Sequence, residues 1–241
     1  MPNLKIIEKI VHDLSTIEDK AFSKRWKKMD KKKWADIIYE VEKLRESWKP
    51  KSIKVLLVAE SFVFTARNEF EKDNDEKLVK FIYCLEYNRT SNFWKLFCNS
   101  LPKKEKEKYS TIAKNVKLRK KVLKRMKRRG IWLIDASLFP INNIKRPNNR
   151  LNNKTKKQIM DKSLVYIKNN LRKSRLKIKK VFFFGDSVRL NFSEGIWEIA
   201  RLCKNAKPYF FNMPPGVKNE TKHVYYKKFN SILYPKSGNH T

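Results

Sequence analysis

Glycine is scarce in this chain. Only 5 of its 241 residues are Gly, and none falls in a GxGxxG or GxxxxGK[ST] pattern. Loops that cradle a dinucleotide or a nucleoside triphosphate are therefore not expected. Cysteine is scarcer still. Cys84, Cys98 and Cys203 stand alone, with no CxxC between them. That excludes a zinc-type or iron–sulfur ligand set and suits three thiols in a reducing compartment. Only His12, His223 and His240 are histidines, and no HExxH occurs. No apolar run approaches the ~18 residues of a membrane span. Residues 1–10 alternate charge with Ile and Leu and lack the apolar core of a secretory signal. These absences point to a cytoplasmic, nucleoid-associated or otherwise reducing intracellular setting, with no cofactor, no metal and no membrane partner.

Negative charge is the last shortage. Asp and Glu number 24 against 58 Lys and Arg, a formal net charge of +34. With 41% hydrophobic and 12% aromatic residues, the chain is nonetheless too apolar to be disordered. The surplus is clustered. Residues 102–129 hold 14 Lys/Arg against Glu105 and Glu107, and residues 145–180 hold 14 against Asp161. Cations packed this densely repel one another unless a polyanion neutralises them. Phosphate backbone is the expected partner, through counterion release.

Both basic segments carry helical stripes. Leu118, Val122 and Met126 recur every four residues, and Met160, Leu164, Ile167 and Leu171 at four, three and four. Residues 20–48 read as one or two further helices, with Trp34, Ile38 and Val41 on one face. Four runs read as buried strands: 55–59 (VLLVA), 131–136 (IWLIDA), 181–184 (VFFF) and 209–211 (YFF). Continuous apolar runs suit strands covered on both faces. Strand–helix alternation then predicts a three-layer α/β/α fold with a short, mainly parallel four-stranded sheet. Residues 1–50 form an N-terminal helical extension, 51–235 a single α/β domain, and 236–241 a tail. Residues 103–129 form a basic helical insert at the sheet edge, and the chain is expected to be a monomer.

In such sheets ligands gather beyond the carboxyl ends of the strands. The four runs lead into Glu60-Ser61, Asp135 with Ser137, Gly185-Asp186-Ser187, and Asn212 with Pro214-Pro215-Gly216. Glu60, Asp135, Asp186 and Asn212 are thus expected around one crevice. Asp135 follows four apolar residues, so its carboxylate is expected to be partly buried and to need a partner.

Five segments in this order resemble the uracil-DNA glycosylase superfamily, closest to its mismatch-specific and hypoxanthine-excising members. They are 54–63 (KVLLVAESFV), 91–97 (SNFWKLF), 130–139 (GIWLIDASLF), 179–192 (KKVFFFGDSVRLNF) and 211–216 (FNMPPG). The resemblance implies a glycosylase-like fold and hydrolysis of the N-glycosidic bond of a deaminated or modified base flipped out of DNA. Glu60 would orient or deprotonate the water, and Asn212 or His223 would stabilise the departing base. Phe62, Phe64 and Phe93 would stack on that base, with Asn92 beside them. Pro214 and Pro215 would stiffen a loop that wedges into the duplex. Arg189, Lys145 and Arg146 would grip flanking phosphates. Asp135 would read the base. An ionised Asp only accepts hydrogen bonds, which favours a base presenting N–H donors over plain uracil.

The chain departs from the family's motifs. Phe62-Val63 stands for Pro-Gly, Ser91 for the Asn of N-x-F-W, and Asn212 for the frequent His. A catalytically inactive nucleic-acid-binding member of the same fold is the first alternative. A lesser one is an SGNH-type esterase, with Ser187 of the Gly185-Asp186-Ser187 block as nucleophile and His223 as base.

Overall fold

Asparagine and aspartate start the longer helices. The side chain of Asn3 accepts from the backbone N–H of Ile6 and opens α1 (Leu4–Leu14), and Asp30 accepts from Lys33 to open α2 (Lys31–Ser47). These caps satisfy backbone donors that the first turn leaves orphaned. The computed structural model describes residues 1–20, 22–23, 30–61, 63–64, 79–80, 83, 85, 115–141, 151–174, 176–204, 206–211 and 227–231. β1 (Ile53–Ala59) follows α2, and a short antiparallel pair joins β2 (Val63–Phe64) to β3 (Val79–Lys80). Then come α3 (Val116–Arg128), β4 (Ile131–Asp135) and α4 (Asn153–Arg172). β5 (Leu176–Phe184), α5 (Asp186–Asn191), α6 (Ser193–Leu202) and β6 (Pro208–Phe211) complete the order.

The main sheet is four-stranded and all parallel, in the order β4-β1-β5-β6. Its helices make a three-layer α/β/α architecture, as the alternation of apolar runs predicts. The expected strands appear with slightly different limits. β1 begins two residues earlier than the apolar run, and β5 five residues earlier. The added residues of β5 include the exposed Lys177 and Lys179, so hydropathy alone does not mark them. Leu56, Leu57, Val58, Val181, Phe182, Phe183 and Phe184 are all buried to within 1% exposure. Each side chain of this size contributes roughly 1.5–3 kcal/mol when taken out of water.

The N-terminal helices belong to the same core. Ile7, Ile10, Val11 and Leu14 of α1, with Trp34, Ile38 and Val41 of α2, join the buried cluster that contains the sheet. Phe139, just after β4, packs against Phe22 and Trp34 with ring centroids 5.1 and 4.6 Å away. Asp19 accepts from Asn152 Nδ2 and Thr155 Oγ1 at the start of α4.

α3 leads into β4, the edge strand, through Gly130. This glycine has φ +75°, and a Cβ there would lie 2.7 Å from the Ser52 carbonyl oxygen. The turn therefore needs glycine on two counts, conformation and space.

Candidate functional site

The chain places β4 on one side of β1, then returns to place β5 on the other. The switch point therefore falls between the carboxyl ends of β1 and β5, where such sheets open a crevice. Glu60 follows β1, and Gly185-Asp186-Ser187 follows β5. Gly185 adopts φ +94° while its N–H donates to the Phe211 carbonyl at 2.8 Å. That turns the chain sharply into α5.

A residue that sequence reading did not single out joins these two ends. Lys156, in the first turns of α4, places its Nζ 3.8 Å from Glu60 Oε1 and 3.5 Å from Ser187 Oγ. Asn191 Nδ2 donates to the Ser187 carbonyl at 2.9 Å and lies 3.3 Å from its Oγ. The side chains of Glu60 and Lys156 are 15% and 16% exposed, so the pair is shielded yet reachable from solvent. Ser61 Oγ accepts from the Ile141 N–H at 3.1 Å and ties the Glu60 turn to the chain beyond β4. A carboxylate, an ammonium and a hydroxyl at one strand-end crevice can orient a water and bind an anion.

Asp135 sits at the neighbouring strand end, paired in register with Ala59. Its carboxylate is 5% exposed and accepts from Arg45 of α2 at 2.5 Å. The buried partner expected for this acid is therefore present. Arg45 also donates to Glu42 on its own helix. Burial pushes the Glu42 carboxyl up to about 7, against the pull of Arg45, and the nearby Asp135 adds to the rise. Burial alone would lower the Arg45 pKa, but Glu42 and Asp135 more than offset it and the guanidinium stays charged. Tyr83 packs against the same group, its hydroxyl donating to the Leu133 carbonyl at 3.1 Å and accepting the Leu133 N–H at 2.9 Å. Tyr166 of α4 lies beside Glu42. The cavity here is about 10 Å³, lined by residues including Glu42, Arg45, Trp132 and Tyr166. That is room for at most one water, and far too little for a nucleobase.

Glu42 and Arg45 lie three residues apart on the stripe that holds Trp34, Ile38 and Val41. Charged residues on an apolar stripe were the available signal for this cluster.

Arg189 is exposed on α5 and pairs with Asp186 at 3.3 Å. Phe64 contributes backbone to β2. Phe62, Asn92, Phe93, Lys145, Arg146, Asn212, Pro214, Pro215 and His223 lie outside the described residues. Among the described residues no group of three or more His, Cys, Asp or Glu could hold a metal ion. No described helix is long and apolar enough to cross a membrane.

The two basic segments differ in what their cations meet. On α4, Lys156 faces Glu60, Lys157 faces Asp161 and Glu194, and Lys168 faces Glu198. α3 carries no acidic residue, and among the described residues Lys121, Lys124 and Arg128 have no ion-pair partner. These three, with Arg125 and Arg129, line an open groove of about 610 Å³. Comparison with protein-family models, curated proteins and solved structures returns no match.

Proposed function

We propose that the protein binds nucleic acid, with DNA as the expected form, through its outward-facing cations. The sorting of charge on α3 carries this reading. Arg119, Val122, Leu123 and Met126 are buried, while Lys117, Lys120, Lys121, Lys124 and Arg128 are exposed. Like charges on successive turns cost free energy in the isolated protein. A phosphate backbone removes that cost and releases counterions. Filter binding with labelled duplex and single-stranded oligonucleotides tests the reading. Retention that unlabelled DNA competes away, and an excess of polyglutamate does not, supports it. Equal competition by polyglutamate contradicts it.

A second reading adds chemistry at the strand ends, and the Glu60–Lys156 pair favours it. Glu60 would take a proton from water as the water attacks the sugar C1′. The C1′–N bond would break with its electron pair leaving on the base, which is then protonated. In this reading Asp135 braces the strand end and does not touch the base, because Arg45 holds its carboxylate in the interior. Oligonucleotides carrying uracil, hypoxanthine, xanthine or alkylated bases should then yield abasic product. Glu60→Gln should lower that yield by ~100-fold or more, the usual scale for a general base. No product from any substrate leaves the protein as a nucleic-acid binder without glycosylase chemistry.

A further inference from the structure

We infer that the principal nucleic-acid contact is the groove on α3, at the end of the domain opposite Glu60, and that it holds about three successive phosphates of one strand. The inference rests on the nucleic-acid reading and adds the surface and its reach.

Position comes first. The backbone N–H of Lys54, at the start of β1, donates to the Gly130 carbonyl at 2.8 Å. Lys127 Nζ donates to the Ser47 carbonyl, at the end of α2, at 2.7 Å. Both bonds fix the carboxyl end of α3 at the amino-terminal edge of the sheet. Glu60 follows the other end of β1, seven strand residues away, or ~20 Å at 3.3 Å per residue. Lys54 and Lys177 are exposed near the starts of β1 and β5 and continue the cationic edge. At the opposite edge the acids Glu60, Asp135 and Asp186 are each met by a cation, Lys156, Arg45 and Arg189 in turn.

Reach follows from helix geometry. Residues 121 to 129 span about 12 Å along α3 at 1.5 Å per residue. Phosphates of one strand recur about every 3.4 Å along a duplex axis, so about three fall within the groove when α3 lies along that axis. An anionic membrane fits less well. A helix that lies in a lipid surface buries its apolar face there, and Val122, Leu123 and Met126 are already buried in the core.

The test compares two triple variants of the full chain. One is Lys121→Gln/Lys124→Gln/Arg128→Gln in the groove. The other is Lys5→Gln/Lys9→Gln/Lys32→Gln, equally exposed but on α1 and α2. Circular dichroism and Tm establish that both remain folded. Affinity for a labelled duplex is then measured across a KCl series. The groove variant should show a log–log salt slope shallower by roughly 2–3, at about 0.9 per phosphate lost, and the control should stay near the unaltered chain. A groove variant matching the control overturns the inference and leaves nucleic-acid binding standing. If the unaltered chain binds phosphatidylserine vesicles but no oligonucleotide, the nucleic-acid reading falls and the inference with it.

Discussion

Arg45 is the residue on which the interior charge turns. It is 3% exposed and serves two carboxylates, Glu42 and Asp135. Removing one partner of a buried ionic group leaves the others unpaired in low dielectric, at a cost of ~3–5 kcal/mol. Arg45→Met should therefore destabilise the protein by that amount in urea unfolding, and a loss below ~1 kcal/mol would refute the account of this cluster. Glu42 gives a pH signature. Its folded pKa of about 7 lies above the ordinary carboxyl value of 4.5, so between these values the folded state holds a proton that the unfolded state has released. The stability this group contributes is full below pH ~4.5 and lost as the pH rises to ~7. At ~1.4 kcal/mol per unit the loss is on the order of 3 kcal/mol. Relative to Glu42→Gln, the unaltered chain should lose stability of this order as the pH rises across that window, and parallel curves would contradict it. The need of Asp135 for a partner was legible in the sequence from its place after four apolar residues. The identity of that partner was not, because Arg45 lies 90 residues away and meets it only once α2 packs on the sheet edge.

Elements were more legible than contacts. The four apolar runs and the two stripes at helical spacing correspond to β1, β4, β5, β6, α3 and α4. Continuous hydropathy reports burial on both faces and needs no tertiary partner to be read. Charge could not be read the same way. The two basic segments have nearly equal surplus in the sequence, yet α4 meets acids of α6 and of the β1 end, while Lys121, Lys124 and Arg128 of α3 meet none among the described residues. Ion pairing of this kind depends on which helices become neighbours. The α3–β4 connection supplies a further prediction. Gly130→Ala combines φ +75° with a Cβ 2.7 Å from the Ser52 carbonyl oxygen. It should cost roughly 1–3 kcal/mol, seen as a lower Tm. An unchanged Tm would mean that the turn relaxes freely.

Among the described residues the two ends of the sheet differ. At the carboxyl ends of the strands Glu60, Asp135 and Asp186 are each met by a cation, while Lys54, Lys177 and the α3 groove place exposed cations at the amino-terminal edge. A polyanion held on α3 would lie away from the Glu60–Lys156–Ser187 group. Binding and any strand-end chemistry should therefore separate: loss of the α3 cations weakens affinity, and loss of Glu60 does not. The central claim is that the +34 surplus serves a nucleic-acid partner. The most direct measurement is the affinity of the unaltered chain for a labelled DNA duplex against KCl concentration. The account predicts a linear fall of log affinity with log salt, with a slope of about −3 or steeper, set by the three or more phosphates that α3 and its neighbours neutralise. A flat line, or no binding at ~50 mM salt where such contacts are strong, would contradict it.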